Sequence, residues 1–202
     1  MPYRIAMIAS RSHRRGPDSR LLRLVREFEH FLVHQEIWAI KGAHAAISRA
    51  GLLQGALREV PAGRAGGIVE ITHKVVTDQL DVVIHLMDPR DPTSIYPEAT
   101  ALKRECIAKG KLFLSTYMSA VEWMSLVWQD SDGYMLRDNE CKAADPATER
   151  IALIAHDRLK VRMLRFALLD HRGLLTKFRE IIATGTTGRY LQDPSRSGLI
   201  NA

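Results

Sequence analysis

Seven residues near the start of the chain, Arg4-Ile-Ala-Met-Ile-Ala-Ser10, return almost unchanged as Arg150-Ile-Ala-Leu-Ile-Ala-His156. Both are apolar runs of strand length that end on a polar residue. The segments after them return in the same order. A helix-like stretch, over 19–34 in the first case and 160–169 in the second, leads to a second strand-like run, Glu36-Ile-Trp-Ala39 and then Glu180-Ile-Ile-Ala183. Each of those runs into a loop that holds glycine. Self-similarity over this length predicts a duplicated unit. The order strand, helix, strand also restricts the fold, because parallel neighbours need a long crossover and a helix is the usual one.

In the first repeat Leu21, Leu22, Leu24, Val25, Phe28 and Leu32 recur at helical spacing, a face suited to packing on a sheet. The pattern continues with a third strand at 57–60, then Gly66-Gly67 opening a helix with Ile68, Ile71, Val75 and Val76 along one side. Residues 81–86 form the continuous apolar run expected of a strand covered on both faces. A helix over 98–109, a strand over 111–115 and a closing helix over 120–128 complete it. The expected fold is α/β: a Rossmann-like open parallel sheet with helices on both faces and ligands beyond the carboxyl ends of the strands. Residues 1–128 make the first domain. Residues 129–148, polar and rich in Asp with Gly133 and Pro146, read as a linker. Residues 149–202 are the N-terminal part of a second copy, ending about where its third strand should begin.

A hydrophobic fraction of 46% with 26% charged residues supplies a sizeable core. The most apolar stretches are far too short to span a bilayer. The N-terminus opens directly into strand-like sequence, without the basic-then-apolar pattern of a secretory leader. Cys106 and Cys141 have neither metal-ligand spacing nor a disulfide framework around them, so reduced thiols in a cytoplasmic protein are expected. The net charge of +6 owes much to Arg11, Arg14, Arg15 and Arg20. Such a cluster can dock nucleic acid, hold a phosphorylated metabolite or stand in solvent. No helix-turn-helix pattern, zinc spacing or run of stacking aromatics accompanies it, which disfavours nucleic acid.

The chemistry-bearing residues lie mostly in the second repeat. Thr184-Gly-Thr-Thr-Gly188 brings hydroxyls from Thr184, Thr186 and Thr187, while Gly185 and Gly188 allow close backbone approach. A loop of this kind opening a helix cradles a phosphate dianion through its donors and the helix dipole. A plain strand-to-helix turn capped by threonine is the alternative. His156-Asp157 comes after the first strand of the repeat, where a histidine can donate to developing negative charge; an aspartate cap with a bystander histidine is the alternative there.

The pairing of Ala155-His156-Asp157 with Ala183-Thr-Gly-Thr-Thr-Gly188 resembles the methylglyoxal synthase family. That resemblance covers 150–202 and, more faintly, 3–128. It implies conversion of dihydroxyacetone phosphate to methylglyoxal and inorganic phosphate, with no metal or organic cofactor, in a homo-oligomer. It implies catalytic roles for His156, Asp157 and Asp88, and phosphate binding by Lys160, Thr184, Thr186, Thr187 and Gly188. The partner implied is a small phosphorylated metabolite or inorganic phosphate, with no membrane.

The first copy departs from the family's pattern. Ser10 and Arg11 replace the His-Asp pair, and Ile40-Lys-Gly-Ala-His44 replaces most of the threonine loop. The family's general-base aspartate comes after a Gly-Gly pair, where this chain has Ile68. Isoleucine cannot accept a proton, and losing a general base costs about 10²–10⁴-fold. Asp88-Pro89 is kept, although an Asp-Pro turn is reason enough for it. Ile95 stands where the family has a catalytic histidine, and Glu98 where it has an aspartate. The first copy thus reads as a pseudo-enzyme domain, with Arg11, Lys41 and His44 as its candidate anion contacts.

Overall fold

The computed structural model describes residues 2–132 and 147–197. They belong to two units, Met1–Arg137 and Asp138–Ala202. The first runs β1 (Arg4–Ala9), α1 (Arg11–Arg14), α2 (Arg20–Glu27), α3 (Glu29–Leu32), β2 (Glu36–Ile40), α4 (Lys41–Arg49), β3 (Leu57–Val60), α5 (Gly67–Val76), β4 (Val82–Leu86), α6 (Pro97–Ala108), β5 (Leu112–Leu114) and α7 (Tyr117–Asp132). The strands form one sheet in the order β3-β2-β1-β4-β5, every pair parallel. The chain winds outward from β1 to β3, then crosses back to place β4 on the other side of β1. Both faces are covered, which is why all five residues of β4 are apolar or buried. On one face Ala6, Ile8, Trp38 and Val83 pack with Ile68, Ile71, Val75, Leu102 and Cys106 of α5 and α6. The opposite pleat, including Ile5, Met7, Ile37 and Ala39, is fully buried as well, on the side where α2 meets α4 and α7.

The helix expected over 19–34 is broken in two. Ser19 caps α2, accepting from Leu22 N–H, and Phe28 interrupts the helix at φ −110°, ψ 20°. Phe28 is completely buried and meets Trp128 edge-on at 6.0 Å. Helical spacing continues across this residue, so the break comes from packing. The closing helix α7 extends to Asp132, into the segment expected as a linker; residues 133–146, with Cys141, and residues 198–202 lie outside the described residues. Among the described residues no helix is long and apolar enough to cross a membrane.

The amino ends of three strands are tied by one ionic cluster. Arg4, opening β1, grips Asp81 ahead of β4 through Nε at 2.9 Å and Nη2 at 2.7 Å. Its backbone N–H donates to the same carboxylate at 3.1 Å. Lys111, just before β5, reaches Asp81 at 3.4 Å and pairs with Asp78. These bonds, Arg4's first, hold the Asp81 carboxyl down at about 2. The unfolded carboxyl titrates near 3.9. Stability from this group is therefore fully present above pH ~4 and is lost as pH falls through about 2. Acid titration followed by tryptophan fluorescence should show Asp81→Asn destabilised at neutral pH, with a shallower loss between pH 4 and 2. The probe is clean for this unit, because Trp38, Trp123 and Trp128 are the chain's three tryptophans.

The second unit contains β6 (Arg150–Leu153), α8 (Lys160–Arg165), α9 (Arg172–Leu175), β7 (Glu180–Ala183) and α10 (Gly185–Gln192). The helix expected to 169 gives way after α8 to a π-helical stretch, Phe166–Asp170. Strands β6 and β7 pair in parallel with Arg150 opposite Glu180 and Leu153 opposite Ala183. In the first unit Arg4 stands opposite Glu36 and Met7 opposite Ala39, the same register. A small core of Leu153, Ala167 and Leu175 covers one face, while Ile154 and Ile182 are 68% and 48% exposed.

Candidate functional site

In the first unit the carboxyl ends of β1, β2 and β4 open onto a cleft of about 770 Å³. It lies at the β1–β4 seam, where the strand order reverses and doubly wound sheets hold their ligands. Ile8 of β1 and His85 of β4 stand side by side in register and both line it. His85 is 2% exposed, and its Nδ1 is buried with no hydrogen-bond partner among the described residues. Burial pushes the imidazole down to about 4, so it is neutral near pH 7.

Six cationic side chains line the cleft: Arg11, Arg14, Arg15, Lys41, Arg49 and Arg64. Among the described residues no carboxylate does. Lys41, Ala45 and Arg49 recur four residues apart along α4 and so share a side of it. Arg14 lies across the start of α4 at Gly42, where an added Cβ would sit 1.7 Å from its Nη1. Only glycine leaves room for the guanidinium in that pose. The Nε of Arg14 is buried without a partner among the described residues, an arrangement that costs about 1–3 kcal/mol when the donor stays unmet.

Of the anion contacts expected in the first copy, Arg11 and Lys41 line the cleft. His44 does not; its Nδ1 is 3.2 Å from Glu59 Oε2, at the adjoining end of β3. Ile68 is fully buried in the core. Ile95 is 54% exposed and Glu98 lies exposed in the first turn of α6. Asp88 is not among the lining residues. It accepts from Ser12 Oγ at 2.7 Å and from the Arg90 N–H at 3.0 Å, bonds that hold its carboxyl below the usual range. Its carbonyl accepts from Asp91 N–H at 3.0 Å, closing the Asp-Pro turn. Sequence reading missed Arg49, Arg64 and His85. The signal available was positional: Arg64 comes after β3 and His85 nears the end of β4, at the same edge of the sheet.

In the second unit both candidate motifs emerge from the same ends of two adjacent strands. His156 is exposed and stands at the N-cap position, without a side-chain capping bond, of a 3-10 turn, Asp157–Leu159, that leads into α8. Lys160 pairs with the exposed Asp157, which lowers that carboxyl from its usual value. Thr184 is the N-cap of α10, with φ −69° and ψ 146°. Its hydroxyl lies 3.5 Å from that of the fully buried Thr187. Thr186 is exposed. The Gly188 N–H is spent on the Thr184 carbonyl at 2.8 Å, so the donors a ligand could take are those of the first turn of α10.

No protein-family model matches the chain. A methylglyoxal synthase of Ralstonia nicotianae is 50% identical over 48 residues, 24% of this chain. The chain spans about a third of that relative's length, 34%. The crystal structure of methylglyoxal synthase from Elizabethkingia anophelis superposes with a TM-score of 0.53 at 22% identity, covering 70% of this chain and 95% of that one. The second unit alone is too short to supply such an overlap, so the likeness of fold runs through the five-stranded sheet. Sequence over a short stretch and fold over most of the chain thus lead by different routes to two methylglyoxal synthases: the chain contains a domain of methylglyoxal synthase-like fold.

Proposed function

We propose that this is a methylglyoxal synthase-type protein built from two copies of one unit, the second binding a triose phosphate and the first a pseudo-enzyme. The observation that carries the reading is the parallel pairing of β6 with β7, which brings His156, Asp157 and Lys160 to the same strand ends as Thr184–Gly188. The phosphate of dihydroxyacetone phosphate fits the start of α10, where the backbone N–H groups of the first turn and the helix dipole attract an anion and Thr186 is exposed. Lys160 adds positive charge by exchanging its Asp157 partner for the phosphate. His156 donates to the substrate's oxygens as an enediolate develops. A base takes the proton from the hydroxyl-bearing carbon, the carbon–oxygen bond to phosphate then breaks, and inorganic phosphate leaves. Among the described residues neither unit has an aspartate at the position the family uses for that first step, which in the first unit holds Ile68. Turnover therefore waits on a carboxylate from another source, and without one the protein is a phosphate-ester binding module. The same resemblance supports a cytoplasmic homo-oligomer.

With the full chain, dihydroxyacetone phosphate and inorganic phosphate should each shift the amide resonances of Gly185, Thr186 and Thr187. Thr186→Ala should weaken that response several-fold, for about 1 kcal/mol of a charge-assisted hydrogen bond. Methylglyoxal release should stay at the uncatalysed background. Unmoved amides at millimolar ligand would sink the binding claim; product above background would sink the missing base.

A further inference from the structure

We propose that the first unit's cleft is a binding site for a ligand carrying two or more linked phosphates, separate from the triose-phosphate site proposed for the second unit. Arg11, Arg14, Arg15, Lys41, Arg49 and Arg64 converge on one concavity where, among the described residues, no carboxylate lines the wall. Among the same residues none of the six takes part in a salt bridge. Surface cations ordinarily diverge into solvent or interleave with acids, and like charges gathered in a cleft repel one another with the field focused by its walls. A single phosphate ester carries about −1.5 to −2 at neutral pH and satisfies two or three such groups. Six call for a chain of phosphates.

Local construction supports a ligand over a merely basic surface. Gly42 is the residue that lets the Arg14 guanidinium lie across the head of α4, and the Nε of Arg14 is buried with its donor unmet among the described residues. The Nδ1 of His85, in a side chain 2% exposed at the strand ends, is unmet as well. Two orphaned polar atoms on residues that line one cleft are the mark of a missing partner. The cleft's volume falls in the range of small-molecule pockets, roughly 300–1,000 Å³. Its apolar wall of Ile8, Ile40, Ala43 and Ala46, with Tyr96 beside them, leaves room for an organic moiety attached to the phosphates. Arg14 lies four residues past Ser10 as Lys160 lies four past His156, so the first unit keeps a cation at that position, and Arg11, Arg15, Lys41, Arg49 and Arg64 gather more positive charge around it.

The test is calorimetric titration of the full chain, in metal-free buffer, with tripolyphosphate, pyrophosphate, ATP, ADP, inorganic phosphate and dihydroxyacetone phosphate. Tripolyphosphate should bind at least tenfold tighter than either monophosphate and raise the midpoint of tryptophan-detected melting. Arg14→Gln and Arg64→Gln should each weaken it by about tenfold or more, with Arg20→Gln as a charge-matched control that leaves it within twofold. Gly42→Ala should also weaken it, although the net charge is unchanged, because the methyl group evicts Arg14. Thr186→Ala should leave it unaltered, which separates this site from that of the second unit. ATP binding more tightly than tripolyphosphate assigns the ligand to nucleotides; equal affinity assigns it to the phosphate chain alone. Equal affinity for mono- and triphosphates, a loss in Arg20→Gln as large as in Arg14→Gln, or an RNA 20-mer that binds tighter and is insensitive to Gly42→Ala would each overturn the proposal.

Discussion

Gly67→Ala should lower the stability of the first unit by about 3 kcal/mol, toward the upper end of what overpacking costs. A Cβ on Gly67 would sit 1.9 Å from the Pro61 carbonyl oxygen, 2.8 Å from its carbon and 3.1 Å from the Ala62 oxygen. Every one of these is a backbone atom, so no rotamer change relieves the clash. The Gly67 N–H donates to the Ala62 carbonyl at 3.1 Å, which fixes the start of α5 against the end of β3. Moving either element disturbs the packing of α5 on the sheet, where Val60 of β3 and Ile68 of α5 are both fully buried. Gly66 is the internal control. It adopts φ 91°, and an added Cβ there meets nothing within 4 Å, so Gly66→Ala should cost only the left-handed strain of about 1–2 kcal/mol. Urea unfolding followed by tryptophan fluorescence measures both. A Gly67→Ala loss no larger than that of Gly66→Ala would mean the two elements are not locked together as described.

Most of the sheet is legible in the amino-acid sequence. Residues 82–86 are apolar apart from His85 and β4 is buried along its length; the repeated heptapeptide marks β1 and β6, which open their pairs in the same register. The features that escape a sequence reading do so for physical reasons. Helix α1 is one turn of Arg-Ser-His-Arg with no buried residue, so it carries no periodic signal. Phe28 keeps helical spacing while its backbone leaves the helix. The cleft is half visible. Arg11 and Lys41 come directly after the two strands of the repeat and can be placed by analogy, Arg49 shares the side of α4 that carries Lys41, and Arg64 comes in from the loop after β3, but His85 reaches the cleft only because β4 crosses back beside β1. That crossing is a property of tertiary packing, and no local pattern encodes it. The same limit explains His44: its neighbour Glu59 arrives on a different strand.

Between pH 7 and pH 4 the first unit should lose up to about 3 kcal/mol of stability through one residue, His85. Burial holds its imidazole at about 4, whereas an unfolded histidine titrates near 6.5. Below 6.5 the unfolded chain takes up a proton that the folded chain refuses until about 4. Protons therefore favour unfolding across this window, and stability rises with pH through it, reaching its plateau above the unfolded value. The sign matches that of Asp81, but the windows are distinct, since the Asp81 contribution is lost only below pH ~4. Replacing the imidazole by a side chain that cannot ionise removes the upper limb. His85→Leu should give a nearly level urea midpoint from pH 7 to pH 4.5, where the unaltered protein slopes steeply, while leaving the further drop near pH 2–4 in place. The substitution keeps an apolar group beside Phe113, whose ring now meets the imidazole edge-on at 6.1 Å, so a folded variant is expected. Parallel slopes for the two proteins would show that the imidazole reaches water, and that the seam between β1 and β4 is more open than its 2% exposure implies.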